Sequence, residues 1–397
     1  MPAATVQRKR FLGLNNVSDP LRLKLGWLQH ADNVDITDTG ALVRRPGYSY
    51  VLPAVLTGAY ATTDFSRFYL VDNGTLKRVE PDLSLIDIRT GLNAAPMQWA
   101  EVNDDVYFTN GVDTGIITEA GEFKEWAWPI PTMPSLAAVS GTLPAGVYQV
   151  VCTFVLADGR ETGASDAAAI YLDGTQALQI NAVPHAAGAL TQVYIAPADS
   201  TVFQLSHPDC LQTSVSWNSS PDALLADLTT QHHYPIPLGC SYITFWQGQI
   251  YAAQYLIESD QTIVWISEPL GYHLFDRSSG FFIIQEKVTM LTAHPDGLLI
   301  GSEECIYAYN GSTLEKLANY GVVPGWGAVF DTEEQQTLFW SKRGLCTALP
   351  LTNITAGQIS VECGLSAGAA IIQKDGAKKY VVALQRGGAA FNKRGSI

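Results

Sequence analysis

The chain has 397 residues, 47% of them hydrophobic and only 16% charged, which supports a sizeable core in two or three folding units and excludes a disordered polymer. Its 17 tyrosines, 9 tryptophans, 34 glycines and 20 prolines are the usage of a β-rich, turn-rich protein. The net charge is −14, with 24 basic against 38 acidic residues, and this argues against a nucleic-acid binder, whose affinity comes from a phosphate-neutralising basic surface. The balance suits either a plain acidic soluble protein or a wall past which DNA slides without sticking.

In chain order, the first 47 residues read as an extended arm. Gly13-Leu14-Asn15-Asn16 is followed by Asn33-Val34-Asp35-Ile36, then by Thr37-Asp38-Thr39-Gly40-Ala41-Leu42, then by Arg44-Arg45-Pro46-Gly47. Asp38 with Gly40 and Pro46 with Gly47 supply turn chemistry, and the apolar residues between them alternate with polar ones as in short strands. Basic residues crowd this region: Arg8, Lys9, Arg10, Arg22, Lys24, Arg44 and Arg45. Such a group is either a docking arm for an acidic neighbour or a solvated terminus.

From residue 58 the chain becomes short strands parted by turns at intervals of about 8–12 residues. Arg67–Val71 and Thr75–Val79 flank Asn73-Gly74, a strong hairpin signal. Met97–Val102, Val106–Gly111, Gly115–Ile117 and Glu122–Trp126 form a second unit. The theme returns after residue 240, at Tyr242–Ala252, at Val264–Phe275, at Val288–Gly301 with Cys305–Gly311, and at Ala328–Phe330 with Thr337–Ser341 and Gly344–Leu349. Ala369–Ile372 with Lys379–Leu384 forms a last partial unit. Divergent units of three or four antiparallel strands, about 40 residues each, predict five or six blades of a β-propeller.

The middle differs. Pro129-Ile-Pro-Thr-Met-Pro134 is a linker, and Tyr234-Pro235-Ile236-Pro237 mirrors it. Between them, Pro144–Val155, an Asp158-Gly159 turn, a Glu161-Thr-Gly-x-Ser165 exit, and strands at Ala177–Ile180, Thr191–Ile195 and Val202–Leu205 predict a small sandwich. One weak helix is predicted at Pro221–Thr229 from Ala223, Leu224, Leu225 and Leu228. The expected organisation is therefore all-β: an N-terminal arm and first strands over 1–57, first blades over 58–128, an inserted Ig or fibronectin-III-like sandwich over 129–237, remaining blades over 238–385, and a flexible, Gly-rich basic tail over 386–397.

Catalytic and metal signatures are sparse. The cysteines Cys152, Cys210, Cys240, Cys305, Cys346 and Cys363 are scattered without a C-x-x-C, which predicts buried thiols in a protein assembled in a reducing cytoplasm. His232-His233 points to opposite faces of an extended chain and reads as an exposed linker pair. Asp104-Asp105 and Glu303-Glu304 fall at turns and read as solvated carboxylates. A glycosidase needs such a pair in a cleft, but the repeated Ser-x-Asp-x-Gly-x-x-Trp turns of sialidase-type propellers are absent. No nucleophile elbow, phosphate loop or dinucleotide fingerprint occurs. No run of about 20 apolar residues occurs, so membrane insertion is not expected. The reading is non-enzymatic, with no cofactor and no metal.

The ordered arm pattern, Gly-Leu-Asn-Asn, then Asn-x-Asp, then Gly-x-Leu-x-Arg-Arg-x-Gly, resembles the N-terminal arm of virion proteins that form the tail nozzle below the portal and adaptor of short-tailed bacteriophages. The Val264–Phe275 and Glu161–Ser165 segments also look like parts of these propeller-containing virion proteins. The resemblance implies a structural protein of the virion tail, assembled in the host bacterial cytoplasm. It implies a homo-oligomeric ring, commonly a hexamer, that lines or closes the DNA channel. Its implied partners are other copies of itself, adaptor and portal-side proteins, tail spike, fibre or needle proteins, and genomic DNA passing without sequence-specific binding. It places the assembly contacts on the arm, at Asn15, Asn16, Arg22, Asn33, Asp35, Arg44 and Arg45. An alternative is a host-receptor or carbohydrate-binding propeller at a tail tip or baseplate, since aromatic faces pack on sugars.

Overall fold

A computed structural model describes residues 10–37, 39–45, 47, 56–374 and 377–385. The fold is all-β. After the arm, consecutive segments form antiparallel meanders in which each strand pairs with its sequence neighbour. Sheet I holds Leu56–Ala61, Phe68–Asp72, Thr75–Val79 and Leu85–Arg89. Sheet II holds Gln98–Val102, Asp105–Thr109, Thr114–Ile117 and Phe123–Lys124. Sheet III is built on Cys240–Trp246, Gln249–Leu256, Gln261–Glu268 and Gly271–Asp276, sheet IV on Val288–His294, Gly297–Ser302, Ile306–Tyr309 and Leu314–Ala318. Sheet V holds Ala328–Asp331, Gln336–Ser341, Gly344–Ala348 and Thr352–Asn353. Sheet VI is a long hairpin, Ser366–Lys374 with Ala377–Gln385, to which Gly325–Trp326 adds in parallel.

Turn chemistry sets the registers. Asn73 (φ 48°) and Gly74 (φ 73°) both take the left-handed conformation, so Asp72 pairs with Thr75 across a two-residue turn that matches the strand twist. Gln247 and Gly248 do the same between Trp246 and Gln249. At Gly74 a side chain is excluded twice over, because a Cβ would also lie 2.5 Å from the Leu92 carbonyl oxygen.

The period-2 alternation of a strand explains how the sheets pack. In sheet II, Trp99, Val106, Phe108 and Ile117 turn toward sheet I and meet Tyr69, Val71 and Leu76. Their neighbours Ala100, Val102, Tyr107 and Ile116 turn the other way and meet Ile243, Ile250 and Ala252 of sheet III. Sheet III then offers Tyr251, Ala253 and Val264 to Leu298 and Ile300 of sheet IV. Sheet IV in turn offers Met290, Leu299 and Ile306 to Phe339, Cys346 and Ala348 of sheet V. A smaller core joins Trp340 of sheet V to Ala367, Tyr380 and Val382 of sheet VI. Both faces of the middle sheets are thus buried, which is why their strands read as nearly continuous apolar runs. Trp326, in the short strand added to sheet VI, packs on the core between sheets I and II, 6.0 Å from the Tyr60 ring.

In chain order, two further sheets around their own core come between sheets II and III. One orders Ser135–Ser140, Gln176–Asn181 and Ser214–Trp217, the other Ala168–Leu172, Gly146–Leu156, Ala189–Ala196 and Gln204–Cys210. Tyr148, Val150, Cys152, Leu178, Ile180 and Ile195 are buried between them. This unit is fixed to its surroundings by the Glu161 carbonyl, 2.9 Å from His273 Nε2, and by Arg160, which donates to the Glu125 carbonyl at 2.9 Å.

Two sequence expectations need correction. The helix expected at Pro221–Thr229 is a single 3-10 turn over Pro221–Ala223. Beyond it the chain runs alongside Phe203 and the start of the Gln204–Cys210 strand, with Leu225 and Leu228 donating to the Leu205 and Phe203 carbonyls. Leu224 and Leu228, which suggested a helical stripe, pack instead on the cores of the two-sheet unit, while Leu225 is exposed. The second concerns His232-His233. His232 is exposed with a left-handed backbone, but His233 lies in a strand paired to Asp276 and its side chain contacts Glu268 at 3.0 Å, so the pair is not a solvated linker.

Candidate assembly interface

The arm folds as two small bridged pieces. Gly13–Leu14 pairs in parallel with Trp27–Leu28, and Val34–Ile36 pairs antiparallel with Leu42–Arg44. The Phe11 N–H donates to the Gly40 carbonyl at 2.8 Å, which ties the start of the arm to its hairpin turn. Gly40 is required there: its φ is +79°, and a Cβ would lie 2.0 Å from Arg10 Cγ.

The expected site residues divide into three groups. Asn15 and Asn16 act together. The Asn15 side-chain oxygen accepts from the N–H groups of Val17 (3.3 Å) and Ser18 (2.9 Å), a local turn that orients its neighbour. Asn16 then grips the loop between sheets V and VI. Its N–H donates to the Gln358 carbonyl (3.0 Å), its Nδ2 to the Ser360 carbonyl (2.8 Å), and its Oδ1 accepts from the Ser360 N–H (2.7 Å). Asn33, Asp35 and Arg45 form the second group. Asn33 is left-handed at φ 55°, and its carbonyl accepts from the Arg45 N–H at 2.9 Å. One carboxylate oxygen of Asp35 takes Arg45 (3.1 Å), the other takes Lys379 of sheet VI (3.2 Å). The Lys379 ammonium, aided by the Arg45 guanidinium, holds the Asp35 carboxyl below its ordinary range. Arg22 and Arg44 make the third group. Their side chains form no hydrogen bond or ion pair among the described residues, and both are exposed.

Asp38, Pro46 and the basic residues Arg8 and Lys9, with the tail from Arg386, lie outside the described residues. Sequence reasoning missed Gln358, Ser360 and Lys379, the partners on the body. It also missed the apolar side of the arm, where Leu21 is 93% and Leu25 is 74% exposed and Leu12 and Val17 are half exposed. Across the Asn16 contact, Val361 and Leu365 of the body are exposed as well.

The chemical candidates have structural partners. Asp104 accepts at its carbonyl from Arg67 at 2.6 Å, a link from sheet I to a turn of sheet II, and the Asp105 carboxylate accepts from the Glu119 N–H at 2.9 Å between two turns of sheet II. Glu303 pairs with Lys287 at 3.4 Å. It borders an open cleft of about 550 Å³ with Glu286, Cys305, Lys316, Tyr320 and Arg343. Inside, Glu286 accepts from Tyr307 (2.9 Å) and Ser302, while Arg343 stacks 4.8 Å above the Tyr320 ring. Five of the six cysteines are buried and none forms a disulfide. Burial pushes the Cys152 thiol up to about 12 and Cys240 and Cys346 also upward, so these three are neutral and unreactive at pH 7. Among the described residues no group of three or more His, Cys, Asp or Glu side chains is placed to hold a metal, and no helix is long and apolar enough to cross a membrane.

No family model matches the chain, and no curated protein matches it. Solved structures that are similar include a catalytically inactive virginiamycin B lyase from Staphylococcus aureus with quinupristin, at 12% identity and TM-score 0.33, covering 83% of this chain and 92% of the lyase. Hsv2 from Kluyveromyces lactis is similar at 9% identity and TM-score 0.27, over 74% of each chain. The extracellular domain of the putative hybrid two component system BT4673 from B. thetaiotaomicron gives 12% identity and TM-score 0.30, over 81% of this chain and 36% of that one. At these TM-scores the likenesses carry no argument about activity, and the interface described above rests on its own geometry.

Proposed function

We propose that this chain is a structural subunit of a bacteriophage virion, a ring-forming tail nozzle below the portal and adaptor that lines or closes the DNA channel and docks spike, fibre or needle proteins. In this reading sheets I to VI are the blades of a β-propeller, and the two-sheet unit is an Ig-like or fibronectin-III-like sandwich inserted between the second and third blades. The role is mechanical, with no catalysis.

One observation carries the proposal. The segment that resembles nozzle arms by sequence is built as a clamp, with polar side chains of Asn16 and Asp35 gripping a body surface while leucines and free arginines face outward. An arm that served only its own chain has no use for so much exposed apolar surface, whereas a subunit contact does. The acidic balance of the chain also suits a channel wall, because like charge keeps DNA from adhering.

An electron cryomicroscopy map of the intact particle tests this directly. Density for the chain as a ring between adaptor and distal tail, with the arm in contact with a neighbour, is the expected result. Density at a distal tip or fibre overturns the nozzle reading in favour of host attachment.

A further inference from the structure

We propose that the arm is exchanged between copies: the Asp35–Lys379 and Asn16–Ser360 contacts are made with the body of the adjacent copy of this chain. The proposal rests on the ring-forming reading above and names its contact surface.

Three features lead to it. The first is how little apolar surface holds the arm to its own body. None of its described apolar residues belongs to a buried core cluster, and polar contacts of Asn16 and Asp35 cross to the body. Exposed polar and ionic contacts of this kind are individually worth little, so the equilibrium between own and neighbouring body is easily tipped.

The second feature is charge. Residues 1–47 hold seven of the 24 cations and four of the 38 carboxylates, a net charge of +3, which leaves −17 on the remainder of the chain. A basic arm on an acidic body is attracted to a second body as strongly as to its own, and the attraction steers copies together. The third feature is the outward face. Leu12, Val17, Leu21 and Leu25 are exposed on the arm, and Val361 and Leu365 are exposed in the body segment that follows the Asn16 contacts at Gln358 and Ser360. An arm lying across a seam has both sides covered, the Asn16–Asp35 side by the accepting body and the leucine side by the donor. An arm folded back on its own chain leaves the leucines in water.

The length of the connection sets an upper limit on the exchange. Eleven steps of chain lead from Arg45 to Leu56, a span of up to about 36 Å when extended. Exchange of an identical element adds no new contact type, so the same side chains close the ring.

The experiment uses full-length protein in two populations, Asp35→Cys in one and Lys379→Cys in the other, mixed, assembled and oxidised. Exchange predicts disulfide-linked dimers from the mixture, absent from either population alone and from the parent protein, and reversed by reductant. The double variant is then expected to give a ladder of linked chains on a non-reducing gel. A double variant that links quantitatively within single chains, with no dimer from the mixture, overturns the proposal. Particle incorporation is read separately. Linked oligomers that never enter particles would leave the exchange standing and remove the nozzle reading, whereas incorporated particles holding only intrachain links would do the reverse.

Discussion

Asp35 carries two cations on one carboxylate, and its chemistry sets a pH dependence for the arm. Its folded-state pKa is depressed, chiefly by Lys379 and then by Arg45. A depressed carboxyl contributes stability that is present above the unfolded value, near 3.8, and is lost as pH falls through the lower folded value. The arm contact is therefore expected to hold from neutral pH down to about pH 4 and to loosen below it, read as increased protease cleavage within residues 10–45. Asp35→Asn removes the charge at all pH values. It is expected to change global stability by less than about 1 kcal/mol, as for exposed ion pairs, while reducing the assembled fraction; an unchanged oligomer distribution in light scattering would argue against an assembly role. The sequence pattern located Asn16 and Asp35, because Asn-Asn and Asn-x-Asp stand in a recognisable order. It gave no sign of Ser360 or Lys379, each 344 positions away from its partner, since neither sits in a local motif. Nor did it distinguish the engaged Arg45 from the free Arg44, because Arg44 ends the short strand Leu42–Arg44 while Arg45, just past it, meets Asn33 and Asp35.

At the level of elements, the strands were legible because turn residues and two-residue alternation are local signals. Asn73-Gly74 marks its hairpin without help from distant contacts. The helix expected at Pro221–Thr229 was misread for a related reason: leucines four apart pack equally well from an extended chain when two cores lie on either side. The pairing of sheets through Trp126 was not legible. This side chain is wholly buried between sheets II and III, and its indole N–H donates to the Tyr272 carbonyl at 2.9 Å. Trp126→Ala leaves a large cavity and an unpaired carbonyl, with an expected cost of about 3–5 kcal/mol in denaturant unfolding. Gly163 marks the junction of the two-sheet unit with sheet III. A Cβ at this position would lie 1.7 Å from the His233 carbonyl oxygen, and both sides of that contact are backbone. Gly163→Ala is expected to destabilise by about 3 kcal/mol and to weaken the nearby His273–Glu161 contact. A wild-type melting temperature for this variant would show that the junction yields freely.

For the whole molecule, the body and the arm are expected to be separable. Among the described residues, all of the buried apolar clusters lie outside the arm, so deletion of residues 1–47 should leave a folded protein with a nearly unchanged melting curve. The same truncation should fail to enter particles, and normal incorporation would refute the arm's role. The order of the sheets was readable from repeating strand–turn units, but the attachment of the two-sheet unit was not, because it depends on Glu161 meeting His273 across 112 residues and on Arg160 reaching back to Glu125.

Because each sheet shares its core only with the sheets beside it, the body resembles a belt of hinged plates, and Trp326 against Tyr60 is where its two ends meet. A load pressing outward from the centre would be felt as tension around that belt. Plates joined by covalent chain and broad cores would resist it well, and the buckle least. Trp326→Ala should therefore speed amide exchange in sheets I and VI while sheets III and IV keep their protection. The two ends would part first and the middle of the belt would stay whole.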